Sequence, residues 1–130
     1  MKLMRHLLIG VLPWLALPAF AGDFDGSKPL ICATVATMDC MRGEECLAGL
    51  PEDIAAPAFM RLDFARKAVA GPKTTSPILL QEKSEDQLLL QGREGGFGWT
   101  IVLEAQNGEM TVTLTNRYGA YVLYGNCTPL

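Results

Sequence analysis

Between residues 77 and 127 the chain alternates apolar and polar side chains in short runs, each ending at a turn-forming pair or triplet. A period of two is the mark of half-buried strands, and it predicts five short β-strands joined by tight reversals. Asn107-Gly108 is the clearest reversal, because both residues tolerate the positive φ of a two-residue hairpin turn. With these two at the turn, Ala105 faces Met110, Leu103 faces Val112 and Ile101 faces Leu114, while Glu104, Val102 and Thr100 fall opposite Thr111, Thr113 and Thr115. One face is apolar and the other mostly polar, and a slip of one residue would exchange them.

Three further reversals predict the same buried set. Arg117-Tyr118-Gly119 reads as a three-residue loop whose last position takes the left-handed conformation that glycine adopts cheaply, so that Leu114 meets Val122. A four-residue loop Arg93-Glu94-Gly95-Gly96 sets Leu90 opposite Trp99 and Leu88 opposite Ile101. A three-residue loop Ser84-Glu85-Asp86 sets Leu80 opposite Leu90. Four independent turns that agree on one inner face point to an antiparallel meander.

Upstream, residues 29–38 read as a strand leading into a cysteine-bounded loop. Leu50-Pro51-Glu52-Asp53-Ile54 carries the early proline and following acids of a single helical turn. In residues 58–64, Met60, Leu62 and Phe64 share one side and Arg61 and Asp63 the other, which favours strand over amphipathic helix. Ala70-Gly71-Pro72-Lys73 is a linker turn into the meander. The expectation is an all-β fold of about seven strands, closed as a small barrel or a two-layer sandwich. A single flat sheet would leave its apolar face wet, at roughly 25 cal/mol for each Å², and closure also hides the edges.

Residues 1–21 change the picture of where this domain works. Lys2 and Arg5 precede an apolar run, Leu7 to Leu17, and Ala19-Phe20-Ala21 offers a small-x-small cleavage site. These are the parts of a secretory signal cleaved before Gly22, and the run is too short, and broken by Pro13, for a membrane span. The expected domain is therefore residues 22–130, periplasmic or secreted, with no membrane span after cleavage. Without Lys2 and Arg5 the chain has nine basic residues against fourteen acidic ones, a formal charge of minus five, so nucleic acid is not an expected partner. All four cysteines, Cys32, Cys40, Cys46 and Cys127, lie in this part, and an even count in an oxidising compartment predicts two disulfides. Of the three possible pairings, Cys40 with Cys46 and Cys32 with Cys127 is favoured, one closing a local loop and the other tying the first strand to the last. The spacings are not those of a metal site, and no cofactor is expected.

Composition also limits the chemistry. The only histidine, His6, is in the signal, so the exported domain has no histidine for a Ser-His-Asp or Cys-His mechanism or a histidine-ligated zinc. Paired carboxylates remain, with Asp39, Glu44, Glu45, Glu52 and Asp53 around the cysteine loop as candidates for a hydrolase. Gly92-Arg93-Glu94-Gly95-Gly96-Phe97-Gly98 lacks the Gly-Lys-Ser/Thr ending of a phosphate loop and is read as a hairpin connection. Trp99 is assigned to the core. Arg93 facing an anionic partner, with Tyr118 at a hairpin tip and Tyr121 and Leu123 beside the threonine row, is the expected partner contact.

The run Asp25-Gly26-Ser27-Lys28-Pro29-Leu30-Ile31-Cys32, the pair Asp39-Cys40, residues 59–64, Leu90-Gln91-Gly92 with Gly98-Trp99, and Tyr124-Gly125-Asn126-Cys127-Thr128 together resemble a group of short exported bacterial proteins with four cysteines. That group has no assigned activity, so the resemblance carries over no functional residue. In size, export and strand pattern the chain is also similar to the small periplasmic inhibitors of c-type lysozyme, which are compact antiparallel barrels, but their Ser-Gly-x-x-Tyr motif is absent. The expected function is a non-enzymatic binding protein for an envelope or extracellular protein or a small ligand. Inhibition of a cell-wall lytic enzyme and carboxylate-dependent hydrolysis are the alternatives.

Overall fold

The computed structural model describes residues 22–130, so the signal expected in residues 1–21 lies outside the described residues. The alternating runs form nine strands: β1 Leu30–Met41, β2 Leu47–Gly49, β3 Phe59–Asp63, β4 Ala68–Ala70, β5 Thr75–Lys83, β6 Gln87–Glu94, β7 Phe97–Glu104, β8 Glu109–Thr115 and β9 Gly119–Pro129. Eight of them, β1 and β3 to β9, close an antiparallel barrel, with β9 returning to pair with β1. β3 pairs with the first part of β1 and β2 with the second, on the same edge, so β2 is an added ninth strand. The all-β expectation holds, with the barrel formed rather than the sandwich. The count exceeds seven because β2 and β4 have three residues each, too few to show a period in sequence.

The inner face holds most of the predicted apolar set, and Leu30, Leu62, Leu88, Leu90, Leu103 and Met110 are almost wholly buried. An eight-stranded barrel is just wide enough for such side chains to fill. Cys32–Cys127 joins β1 to β9 at directly opposed positions, and Cys40–Cys46 closes the loop between β1 and β2, the favoured pairing. Ala68–Ala70 continues residues 59–64 as a hairpin rather than a helix, and Pro51–Ile54 forms the expected single turn, a 3-10 turn.

The exact turn lengths differ from expectation, with different consequences. Asn107-Gly108 belongs to a longer loop of residues 105–108, so Leu103 meets Met110 and Ile101 meets Val112. That loop is held open by its neighbours: Ala105 N–H donates to Asp86 O (2.8 Å) and Cys127 N–H donates to Gly108 O (2.8 Å). Conversely, Gly95-Gly96 alone makes the turn between β6 and β7, both with positive φ (53° and 85°), so Leu90 opposes Ile101 and Gly92 opposes Trp99. Two adjacent residues at positive φ are what a tight hairpin requires. Both shifts are by two residues and leave the buried face unchanged.

Two other shifts are odd and do change it. Between β5 and β6 the turn is Glu85-Asp86 rather than three residues, with Ser84 N–H donating to Gln87 O (2.9 Å), so Leu80 falls opposite Gln91 and is 37% exposed, while a bulge between Ile78 and Leu80 brings Ile78 into the buried face. Between β8 and β9, Arg117-Tyr118 is a two-residue turn in which Asn116 Oδ1 accepts the N–H groups of Tyr118 (2.9 Å) and Gly119 (3.3 Å). Leu114 therefore meets Tyr121, Leu123 points inward, and Val122 lies on the outer face opposite Thr113. Gly119 does not take the left-handed conformation; it is small because a Cβ there would run into the Cys40 carbonyl of β1.

The two ends of the barrel are closed differently. At one, the segment before β1 folds under the strands: Phe24 packs against the core beside Gly108, and Asp25 accepts the Ser27 N–H (2.9 Å) and lies 3.7 Å from Lys83. At the other, the Pro51–Ile54 turn leans over the mouth, with the Thr37 hydroxyl donating to Leu50 O (3.2 Å) and Ile54 and Ala56 packed on the core. That second end is only partly covered. Among the described residues no helix is long and apolar enough to cross a membrane.

Candidate ligand cavity at the partly covered end

Alternation along each strand determines what surrounds the mouth. The inner row of β6 runs Leu88, Leu90, Gly92, Glu94, and the inner row of β7 runs Phe97, Trp99, Ile101, Leu103, so the last inward residues at the Gly95-Gly96 hairpin are Glu94 and Phe97. Ser76 of β5 and Tyr121 of β9 stand at the same level, and the residue 54–57 segment covers one side. Together they enclose a cavity of about 260 Å³ whose floor is Ile101, Val112 and Leu123.

Trp99 shapes the cavity wall. Its indole lies across Gly92, where any Cβ would collide with the ring, so the glycine is the reason that the tryptophan can turn inward flat against the strand. The indole N–H donates to Ser76 Oγ (2.8 Å), and the Ser76 hydroxyl donates to the Arg93 carbonyl (3.0 Å). Every polar atom of this buried chain is paired, so the indole is held in one orientation. The Phe97 and Tyr121 rings pack on each other in the cavity wall, with centroids 6.0 Å apart and planes inclined by 44°.

The charge around the cavity is one-sided. Glu94 lines it, no lysine or arginine does, and among the described residues Glu94 takes part in no ion pair. A second acid stands nearby. An extra residue, Val35, bulges from β1 between Thr34 and Ala36, so the inner row changes from Leu30, Cys32 and Thr34 to Thr37 and Asp39. Asp39 is thereby the cross-strand neighbour of Tyr121 on the inner face, and its Oδ1, like Thr34 Oγ1, is buried with no hydrogen-bond partner. A buried oxygen without a donor costs about 1–3 kcal/mol, more if charged.

The residues singled out from the sequence are placed as follows. Leu123 is not a contact residue; it is 2% exposed and forms the cavity floor, because the shorter turn inverted β9. Tyr121 is half-buried in the cavity wall rather than beside the threonines. Tyr118 is exposed at the hairpin tip beneath the Arg117 guanidinium (4.6 Å from the ring centroid), and Arg93 is exposed on the outer face of β6. The four do not form one surface. The acids of the cysteine loop do not converge: Asp39 turns inward, Asp53 accepts the Leu50 N–H (2.8 Å), and Glu44, Glu45 and Glu52 are exposed. Among the described residues no three histidine, cysteine or acidic side chains are grouped to hold a metal ion. Glu94, Phe97 and Ser76 were missed as site residues; the alternation through Gly92 to Glu94, opposite an aromatic pair, was the available signal. No family model, curated protein or solved structure matches the chain.

Proposed function

We propose that this protein is an exported, non-enzymatic β-barrel that holds a small, largely apolar ligand in the end of the barrel opposite Phe24. The cavity of about 260 Å³, walled by aromatic and aliphatic side chains with a few polar groups at its rim, is the observation that supports this reading. Ligand sites are typically concave and apolar with a small number of placed polar groups, and those for drug-sized molecules run to roughly 300–1,000 Å³. The ligand here is correspondingly smaller. A cleavable signal and two disulfides support export.

Titration with toluene as an apolar probe, followed by methyl NMR, tests the reading. Saturable shifts confined to Ile101, Val112, Leu114 and Leu123 are expected, and Val112→Phe, which fills the floor, should remove them. Shifts that never saturate, or that scatter over the outer face, would refute it.

A further inference from the structure

We infer that the ligand of this cavity carries an alkylated ammonium head, seated against the aromatic wall of Phe97 and Tyr121 with Glu94 as its counter-charge, and an apolar body that reaches toward Ile101 and Leu123. The inference rests on the binding reading above and names the ligand class. Four observations carry it.

The rim supplies a carboxylate and no cation, so it repels anionic heads and attracts cationic ones. The Phe97 and Tyr121 rings, packed with centroids 6.0 Å apart and planes inclined at 44°, both line the cavity that Glu94 lines. A cation within about 6 Å of such a ring centroid is attracted to the face, and aromatic walls of this kind recognise quaternary ammonium groups. Trp99 is a fixed part of the cavity wall, because Ser76 holds its indole N–H. Cross-strand from Tyr121, Asp39 Oδ1 is a further acceptor buried on the inner face with no hydrogen-bond partner.

The same features disfavour a bare metal ion. The walls are apolar and no group of three ligating side chains exists among the described residues, so a strongly hydrated ion would lose its water without replacement. An alkylated ammonium is weakly hydrated at its methyl groups and offers the hydrocarbon surface that the walls demand.

Choline and its uncharged carbon isostere, 3,3-dimethylbutan-1-ol, have the same shape and differ in the charge, so comparing them isolates the head group. Choline is expected to bind about tenfold or more tightly than the isostere, to weaken as sodium chloride is raised, and to lose its advantage in Glu94→Gln while the isostere's affinity is unchanged. Glu94 is at a solvent-facing rim, and an unaltered melt of Glu94→Gln shows that the fold is intact. Phe97→Leu, which keeps an apolar side chain but removes the ring face, should reduce choline binding and spare the isostere. Equal or tighter binding of the isostere, or binding of toluene alone, overturns the ammonium head while leaving the cavity reading in place. If choline, the isostere and toluene all fail to bind, the cavity reading falls as well.

Discussion

The two disulfides should differ sharply in what they contribute, and the difference can be calculated. In the chain-entropy description a bridge removes about 2.1 + 1.5R ln n cal/mol/K from the unfolded chain. Cys32 and Cys127 are separated by 95 positions, which corresponds to about 4.7 kcal/mol at 25 °C. Cys40 and Cys46 are separated by 6 positions, which corresponds to about 2.2 kcal/mol. A domain of this size is stable by roughly 5–15 kcal/mol, so loss of the long-range bridge is close to unfolding the weaker end of that range. Substituting cysteine also removes buried sulfur, and Cys32 and Cys127 are both in the core. The cleaner perturbation is therefore reduction within a single-bridge variant, where the sulfurs under test stay in place on both sides of the comparison. In Cys40→Ala/Cys46→Ala only the long bridge remains, and in Cys32→Ala/Cys127→Ala only the short one; each is compared with and without reductant in urea unfolding followed by circular dichroism. Reduction of the first is expected to cost about 4–5 kcal/mol and to increase the denaturant slope, because the freed unfolded chain exposes more surface. Reduction of the second should cost about 2 kcal/mol with little change in slope. Equal costs, or a larger effect from the short bridge, would refute the argument that the long bond acts on the unfolded chain.

Other expectations follow from the inner face and the two ends. Leu123→Ala should destabilise by about 2–5 kcal/mol as a core truncation, whereas Val122→Thr on the outer face should stay within about 1 kcal/mol; the reverse order in thermal melts would restore the longer β8–β9 turn. Ser76→Ala strips the partner from the Trp99 indole N–H and should cost about 1–3 kcal/mol, with a changed near-ultraviolet circular dichroism band reporting release of the ring. The hydrogen bonds from Ser27, with a smaller contribution from Lys83, hold the Asp25 carboxyl below the usual carboxylate range. A depressed folded value means stability that is present above the unfolded pKa of about 3.9 and lost as pH falls through the lower folded value. Asp25→Asn should therefore flatten that acid limb of a pH-dependent melt, and an unchanged limb would show that the Asp25 contacts do not form in solution.

How much of this molecule is legible in its sequence depends on which property of a strand is asked for. Period-two alternation from Pro77 onward was enough to predict an all-β meander, the inward placement of Leu88, Leu90, Ile101 and Leu103, and the need to close the sheet. The cysteine positions, one in the first long strand and one in the last, were enough for the favoured pairing. Where a turn was misjudged by two residues, as at Asn107-Gly108 and Gly95-Gly96, the sorting of side chains survived because it repeats every two residues.

The tertiary structure alone decided whatever turns on a single residue. The bulges at Val35 and near Leu79, and the short Glu85-Asp86 and Arg117-Tyr118 turns, each shift a register by one. They send Asp39 and Leu123 inward and Val122 and Leu80 outward. No local pattern marks these positions, because they are set by how neighbouring strands approach each other; between β1 and β9, for example, the Cys40 carbonyl leaves room only for Gly119. The cavity has the same origin: Glu94, Phe97, Ser76 and Tyr121 come from four strands and meet only once the barrel has closed. Alternation is a property of the individual strand and can be read along the chain, whereas register and closure depend on contacts between distant strands, which a linear pattern does not contain.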